Sequence, residues 1–190
     1  YCSKQKIFLL YIQLHALGLS TVRMSVNVSQ IQFRHPHYIE RLKLALTDTG
    51  IDPQYLELEI TESVAMEDPA FMLETLASIK ELGISVAIDD FGTGYSSLSH
   101  LRQLPVDRLK IDRAFVNELN SPILGGHIAA MVVELGRNLN MTVIAEGIEE
   151  ESQAEILRAM GCHEGQGFLY GRPMPVADLN QWLRARGALS

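Results

Sequence analysis

The chain has 190 residues, 47% of them apolar, and carries a formal net charge of −7 with a pI of about 5.3. This length suits a single domain over 1–190, since one domain commonly covers about 100–250 residues. The acidic balance excludes a long nucleic acid as partner, because that affinity comes from clustered Lys and Arg, but it leaves room for a small anionic ligand bridged by a metal.

Cys2 and Cys162 stand far apart with no CxxC or Cys/His spacing, so neither a zinc site nor a disulfide framework is indicated and a reducing, cytoplasmic compartment is expected. The most apolar stretch, IFLLYIQLHALGL (7–19), is too short to span a bilayer and is broken by Gln13 and His15. It reads as a buried helix, with no direct membrane contact expected from this domain. A signal peptide's charged start and cleavage site are missing, and the first residue is not Met. The start therefore reads as a cut inside a longer protein.

Short β-branched runs then alternate with amphipathic, helix-length segments. RMSVNVS (23–29) precedes a helix over 37–50, where Ile39, Leu42 and Leu46 recur at helical spacing and Gly50 is a stop. YLELEIT (55–61) precedes a helix opened by Asp68 with Pro69 at its first position and closed at Gly83. ISVAIDD (84–90) leads into a short helix begun by Ser96 or Ser97. VDRLKID (106–112), a helix over 127–139, and MTVIAE (141–146) follow. A helix over about 150–160, a short strand near CHEGQ (162–166) and a closing helix around Trp182 complete the chain. Such alternation implies a mostly parallel sheet covered by helices, either open and doubly wound or closed as a barrel. Six units and the abrupt start predict an α/β fold of the TIM-like (β/α)8 barrel type with its beginning missing.

A strand buried on both faces should be almost purely apolar, so polar residues near strand C-termini carry the information. Asn27 interrupts SVNVS, Glu59 lies in LELEIT, and Asp89 and Asp90 end VAIDD. Lys110 interrupts RLKID, Glu146 ends VIAE and Gln166 lies in EGQG. In a parallel barrel those ends meet on one face, where such folds build active sites. Four carboxylates and an amide at one mouth repel one another unless cations neutralise them, and hard divalent ions want oxygen ligands. A Mg²⁺ or Mn²⁺ site with two ions follows, a device used in phosphodiester cleavage, with Lys110 stabilising the attacking water or the phosphate. From an extended chain, Asp89 and Asp90 project in different directions and can serve two ions.

Each residue taken singly has a plainer role. Asn27, Glu59 and Gln166 can be caps or surface groups, Asp90 can cap a turn, and Lys110 can pair with Asp107 or Asp112 in solvent. Glu149 and Glu150 can be first-turn acids favoured by a helix dipole. The joint pattern at six strand ends favours the site. GTGYSS (92–97) approaches the dinucleotide fingerprint GxGxxG, but Ser97 holds the third glycine position and two aspartates before the turn oppose a pyrophosphate. The six histidines show no ligand spacing. At this level phosphodiester cleavage and enolase-type proton abstraction, with metal carboxylates and a Lys base, both stay open.

SVNVSQIQF, LELEITES, AIDDFGTGYSSL, LPVDRLKIDRAFV, VIAEGIE and GCHEGQGFLYGRPMP together resemble the EAL-domain family, bacterial phosphodiesterases that hydrolyse cyclic di-GMP to linear pGpG. The resemblance covers 21–190, with 1–20 a divergent helix. It implies metal ligation by Asn27, Glu59, Asp89, Asp90 and Glu146. Lys110 would polarise or position the water, Glu149 and Gln166 would lie beside water and phosphate, and Glu62 would support the loop after the aspartate pair. It also implies a homodimer through the loop and helix after Asp90. No Glu-Ala-Leu triplet stands near the start, so the resemblance implies that the first strand, with a metal-ligating Glu and a phosphate-gripping Arg, is absent from this chain. A non-catalytic cyclic di-GMP receptor and a dimerisation module are the alternatives.

Overall fold

A computed structural model describes residues 22–94, 97–121 and 126–186, so the expected helix over 7–19 lies outside the described residues. Six strands, β1 (Met24–Asn27), β2 (Leu56–Thr61), β3 (Ser85–Phe91), β4 (Arg108–Ile111), β5 (Thr142–Ala145) and β6 (Glu164–Gly165), form one sheet. All neighbouring pairs are parallel and the spatial order equals the chain order. That order decides between the two expected architectures. A doubly wound sheet reverses direction at a switch point, whereas constant right-handed crossovers put every helix on one face and curl the other into a barrel interior. The fold is the barrel-type α/β arrangement, present as six of its parallel strands. Among the described residues β1 pairs only with β2, and β6 only with β5.

Period-two alternation sorts each strand's residues. Leu58, Ile60, Val86, Ile88, Leu109, Ile111 and Val143 face the helices and are buried. They pack against Met72, Leu76 and Ile79 of α4 (Pro69–Glu81), Ala129, Val132 and Val133 of α7 (His127–Leu139), and Ala154 and Leu157 of α8 (Glu151–Met160). Each such burial is worth about 1.5–3 kcal/mol, which outweighs any preference of the exposed helix faces. On α7, Gly136 brings the helix against β5; a Cβ there would press into the Val143 side chain.

The remaining helices are α1 (Gln30–Phe33), α2 (Tyr38–Thr49), α3 (Glu62–Met66), α5 (Leu98–Leu101), α6 (Arg113–Asn117) and α9 (Val176–Ala185). Asp68 caps α4 through the Phe71 N–H, with Pro69 in its first turn. The short helices α1, α3 and α6 add to the expected elements. Ser29 and Gln32 form a capping box on α1, and Asp112 caps α6 through the Ala114 N–H at 2.8 Å. No helix among the described residues is long and apolar enough to cross a membrane.

Candidate active site

On the interior face, alternation leaves Asn27 of β1, Glu59 of β2, Asp89 of β3 and Lys110 of β4 pointing to one end of the sheet. Glu146 directly follows β5 and Gln166 directly follows β6. Register pairs Asn27 with Glu59, Glu59 with Ala87, and Lys110 with Ile144. These residues therefore lie at the C-terminal mouth.

Lys110 is only 3% exposed. Its Nζ contacts Glu59 Oε1 at 2.8 Å and Asp89 Oδ1 at 3.1 Å, and bonds Glu146 Oε1. The solvent pairing open to Lys110 in the sequence is thus replaced by three carboxylates inside the barrel. Asp107 pairs with Lys80 at 2.7 Å, and Asp112 caps α6. Burial would lower the Lys110 pKa, but the hydrogen bonds and charges of Glu146 and Glu59 push it above its ordinary value. Burial pushes Glu146 up; Lys110 opposes this, while Asp89 and Glu59 add to it. The ammonium is held charged, and carboxylates still outnumber it.

The aspartate pair is not in a regular extended chain. The β3–β4 register shifts between Ile88 and Phe91, and Asp90 adopts φ 54°, a left-handed conformation unusual for a residue other than glycine. This bulge presents Asp90 at the mouth, where burial, the Asp89 charge and a hydrogen bond with Asp112 raise its pKa. Gly92 follows at φ 99°, and a Cβ there would lie 2.9 Å from the Phe115 ring. Glu62, buried at the start of α3, accepts hydrogen bonds from the Gly92 N–H at 2.8 Å and the Gly94 N–H at 3.2 Å. The turn after the aspartates is thereby tied to β2 through a charged acceptor. Tyr95 and Ser96, in the loop of the expected dimer contact, lie outside the described residues.

Gln166 Nε2 donates to Glu146 Oε1 at 2.6 Å, which links β6 to the charged cluster. Glu149 stands further out, half-exposed and paired with Arg113, while Glu150 forms a capping box with Gln153 on α8. Asn27 is exposed on the mouth beside Glu59. A cavity of about 540 Å³ opens next to Glu149 and Gln166, with Arg113, Phe168, Arg172 and Trp182 among its walls. A second, apolar hollow of about 280 Å³ lies under α2 against the β1 edge; Glu59, Asp89, Asp90 and Glu146 line neither space, and the larger one meets the cluster only through Gln166.

Sequence reasoning passed over Arg113 and a lower charged layer. Two residues below the mouth on the same strands lie Glu57, buried with its carboxyl pushed up by burial, and Arg108, also buried. The signal was present: each is a charge two positions before a noted site residue. Among the described residues no group of three or more His, Cys, Asp or Glu side chains stands ready to hold a metal, and the Lys110 ammonium occupies the point where three carboxylates meet.

Comparison with known proteins adds a family, a relative and two solved structures. The EAL domain family matches residues 6–173. A bifunctional diguanylate cyclase/cyclic di-GMP phosphodiesterase of Pseudomonas aeruginosa, MucR, is 46% identical over 162 residues, which cover 85% of this chain and 24% of that protein. The chain thus spans about a quarter of the length of such curated relatives. Among solved structures, the MucR phosphodiesterase in complex with c-di-GMP superposes with a TM-score of 0.87 at 41% identity, over 93% of this chain and 71% of that one. The Klebsiella pneumoniae BlrP1 manganese/cy-diGMP complex at pH 9.0 gives 0.76 at 31% identity, over 88% of this chain and 42% of that one.

Proposed function

The chain belongs to the EAL-domain family, and from that premise we propose that its mouth cluster serves metal-dependent hydrolysis of cyclic di-GMP to linear pGpG in bacterial signalling. The observation that carries this reading is the convergence of Glu59, Asp89 and Glu146 on the buried Lys110. A fold stabilised for its own sake gains little from burying so many charges, since desolvation offsets most of their attraction. Two relatives of this fold are described as complexes with cyclic di-GMP, one of them with manganese.

The donor set fits Mg²⁺ or Mn²⁺ by its chemistry. Asn27, Glu59, Asp89, Asp90 and Glu146 supply hard oxygen ligands, and four carboxylates against one ammonium leave negative charge for cations to neutralise. Glu59, Asp89 and Glu146, which now share the Lys110 ammonium, would hold an ion partly in its place. When bound, two such ions would acidify an attacking water and neutralise phosphodiester charge. The chain's own groups account for the rest. Lys110, held charged, positions the water or a phosphate oxygen, and Glu62 fixes the turn that follows Asp89 and Asp90. Glu149 and Gln166 stand on the side where the cavity admits a ligand. In the reaction, water forms a new bond to phosphorus and the P–O bond to the 3′ oxygen breaks, that oxygen leaving with a proton.

A cyclic di-GMP receptor without turnover is the second reading, supported by the Lys110 ammonium already sitting where Glu59, Asp89 and Glu146 meet. One assay separates the two: the protein with cyclic di-GMP and Mn²⁺, alongside Asp89→Asn and Glu59→Gln. Hydrolysis predicts pGpG from the parent only with metal, and a loss of about 10²–10³-fold or more in either variant with the fold intact. Binding without product in any metal selects the receptor.

A further inference from the structure

Beneath the mouth, a second chain of polar groups crosses the interior face from edge to edge. Ser25 of β1 donates to Glu57 Oε1 at 2.7 Å; Glu57 Oε2 lies 3.3 Å from Arg108 Nε of β4; Arg108 Nη2 pairs with Glu164 of β6. Arg108 and Glu57 are 3% and 1% exposed, whereas the Glu164 side chain is 53% exposed. Each member sits two residues before a mouth residue, giving Ser25 and Asn27, Glu57 and Glu59, Arg108 and Lys110, Glu164 and Gln166. With a side-chain period of two, each pair lies on the same face of its strand.

We infer that Arg108 is a positioning residue whose contacts with Glu57 and Glu164 brace β2, β4 and β6 from inside and so set the spacing of the groups at the mouth. Two observations carry this. First, β6 is two residues long, held by its ladder to β5 and the Gln166 N–H to Ala145 O bond, yet it must present Gln166 to Glu146. Glu164 is its inward tie. Second, Arg108 Nε and Nη2 and Glu57 Oε2 are buried without an aligned hydrogen bond, paired by charge alone. Such a pair is a poor source of stability, and apolar residues of equal volume would serve a core better. Its position, not its strength, accounts for it: the guanidinium spans from β4 to both β2 and β6, which backbone pairing does not join to β4.

The turnover part of the test rests on the hydrolase reading; the exchange part does not. In the whole protein, Glu57→Gln combined with Arg108→Met removes both buried charges at nearly constant volume, and Glu164→Ala cuts the half-exposed end with little risk to folding. Both variants should melt near the parent. Amide exchange at Gln166 should rise by about tenfold, and kcat should fall by about tenfold or more with KM nearly unchanged, as expected when the reacting groups shift while substrate binding is kept. Arg108→Lys, which keeps the charge, should recover part of the kcat. Parent-level protection at Gln166 in a folded Glu164→Ala variant overturns the brace, as does parent-level kcat in the folded double variant. If the parent itself makes no pGpG, the hydrolase reading fails and exchange at Gln166 still decides the brace.

Discussion

The interior face carries two charged layers on the same strands, one at the mouth and one two residues below. At the mouth Glu59, Asp89, Asp90 and Glu146 stand against Lys110; below, Glu57 and Glu164 stand against Arg108. The lower layer is close to balanced, because Glu57 and Arg108 pair in the interior while Glu164 is half in solvent, which screens its charge. The mouth layer is not balanced, and its excess carboxylates lie at the strand ends, joined through Gln166 to the wall of the cavity. The same side-chain chemistry, moved by one period along a strand, thus separates a layer that holds shape from one that attracts cations and their ligands.

The central cation of each layer, Lys110 above and Arg108 below, can be removed by substitution. Lys110→Met leaves three carboxylates facing one another and should cost about 3–5 kcal/mol of stability in chelator, with turnover lower by about 10²–10³-fold. Added Mn²⁺ should restore most of the melting temperature, because a divalent ion can take over the neutralising role. Arg108→Met should destabilise by a similar amount, since it strands Glu57, and Mn²⁺ should not rescue it. Calorimetric melts of both variants with chelator and with Mn²⁺ make the check. Equal rescue, or none in either, would erase the distinction between the layers.

How far the sequence foreshadows these layers follows from where its rules apply. The barrel-type fold was legible because β-branched runs alternate with capped helices, and the mouth residues stood out as polar breaks at the ends of apolar strands. Glu57 and Arg108 broke the same strands nearer their starts, where a rule about strand ends passes over them. Lys110 had acidic neighbours in sequence at Asp107 and Asp112, so local pairing competed with the long-range pairing that the register of β2, β4 and β5 produces. The left-handed Asp90 was not legible: two aspartates after VAI fit an extended chain, and only the tie from Glu62 to Gly92 and Gly94 and the shift against β4 show the bulge. Helices α1, α3 and α6 are near one turn long, below the length at which apolar periodicity is visible, although Asp112 and the Ser29–Gln32 box marked two of them.

A smaller effect tests how the mouth is held from its other side. Glu62→Gln keeps the shape of the side chain but removes the charge that accepts from the Gly92 and Gly94 amides. Hydrogen bonds to charged groups are worth about 1.5–3 kcal/mol, so stability should fall by that amount and turnover by about tenfold. Faster amide exchange at Gly92 and Gly94, with Gln166 unchanged, would show that the mouth has two independent supports. A rise at Gln166 as well would merge them into one.

The smallest expected effect comes from an ion pair that resembles the lower layer in composition but lies on the helix side. Lys80 of α4 binds both oxygens of Asp107 at 2.7 Å, and each side chain is about a third exposed. Asp107 Oδ2 also accepts from the Val86 N–H at 2.8 Å, a bond that survives loss of the lysine. Solvent screens such a pair, so Lys80→Met should cost no more than about 1 kcal/mol. Because nothing in this pair reaches the interior face, kcat and exchange at Gln166 should stay at parent values. A drop in kcat comparable to that of the Glu57→Gln, Arg108→Met variant would mean that any weakening of the barrel disturbs the mouth. The layer beneath it would then have no special part in setting its geometry.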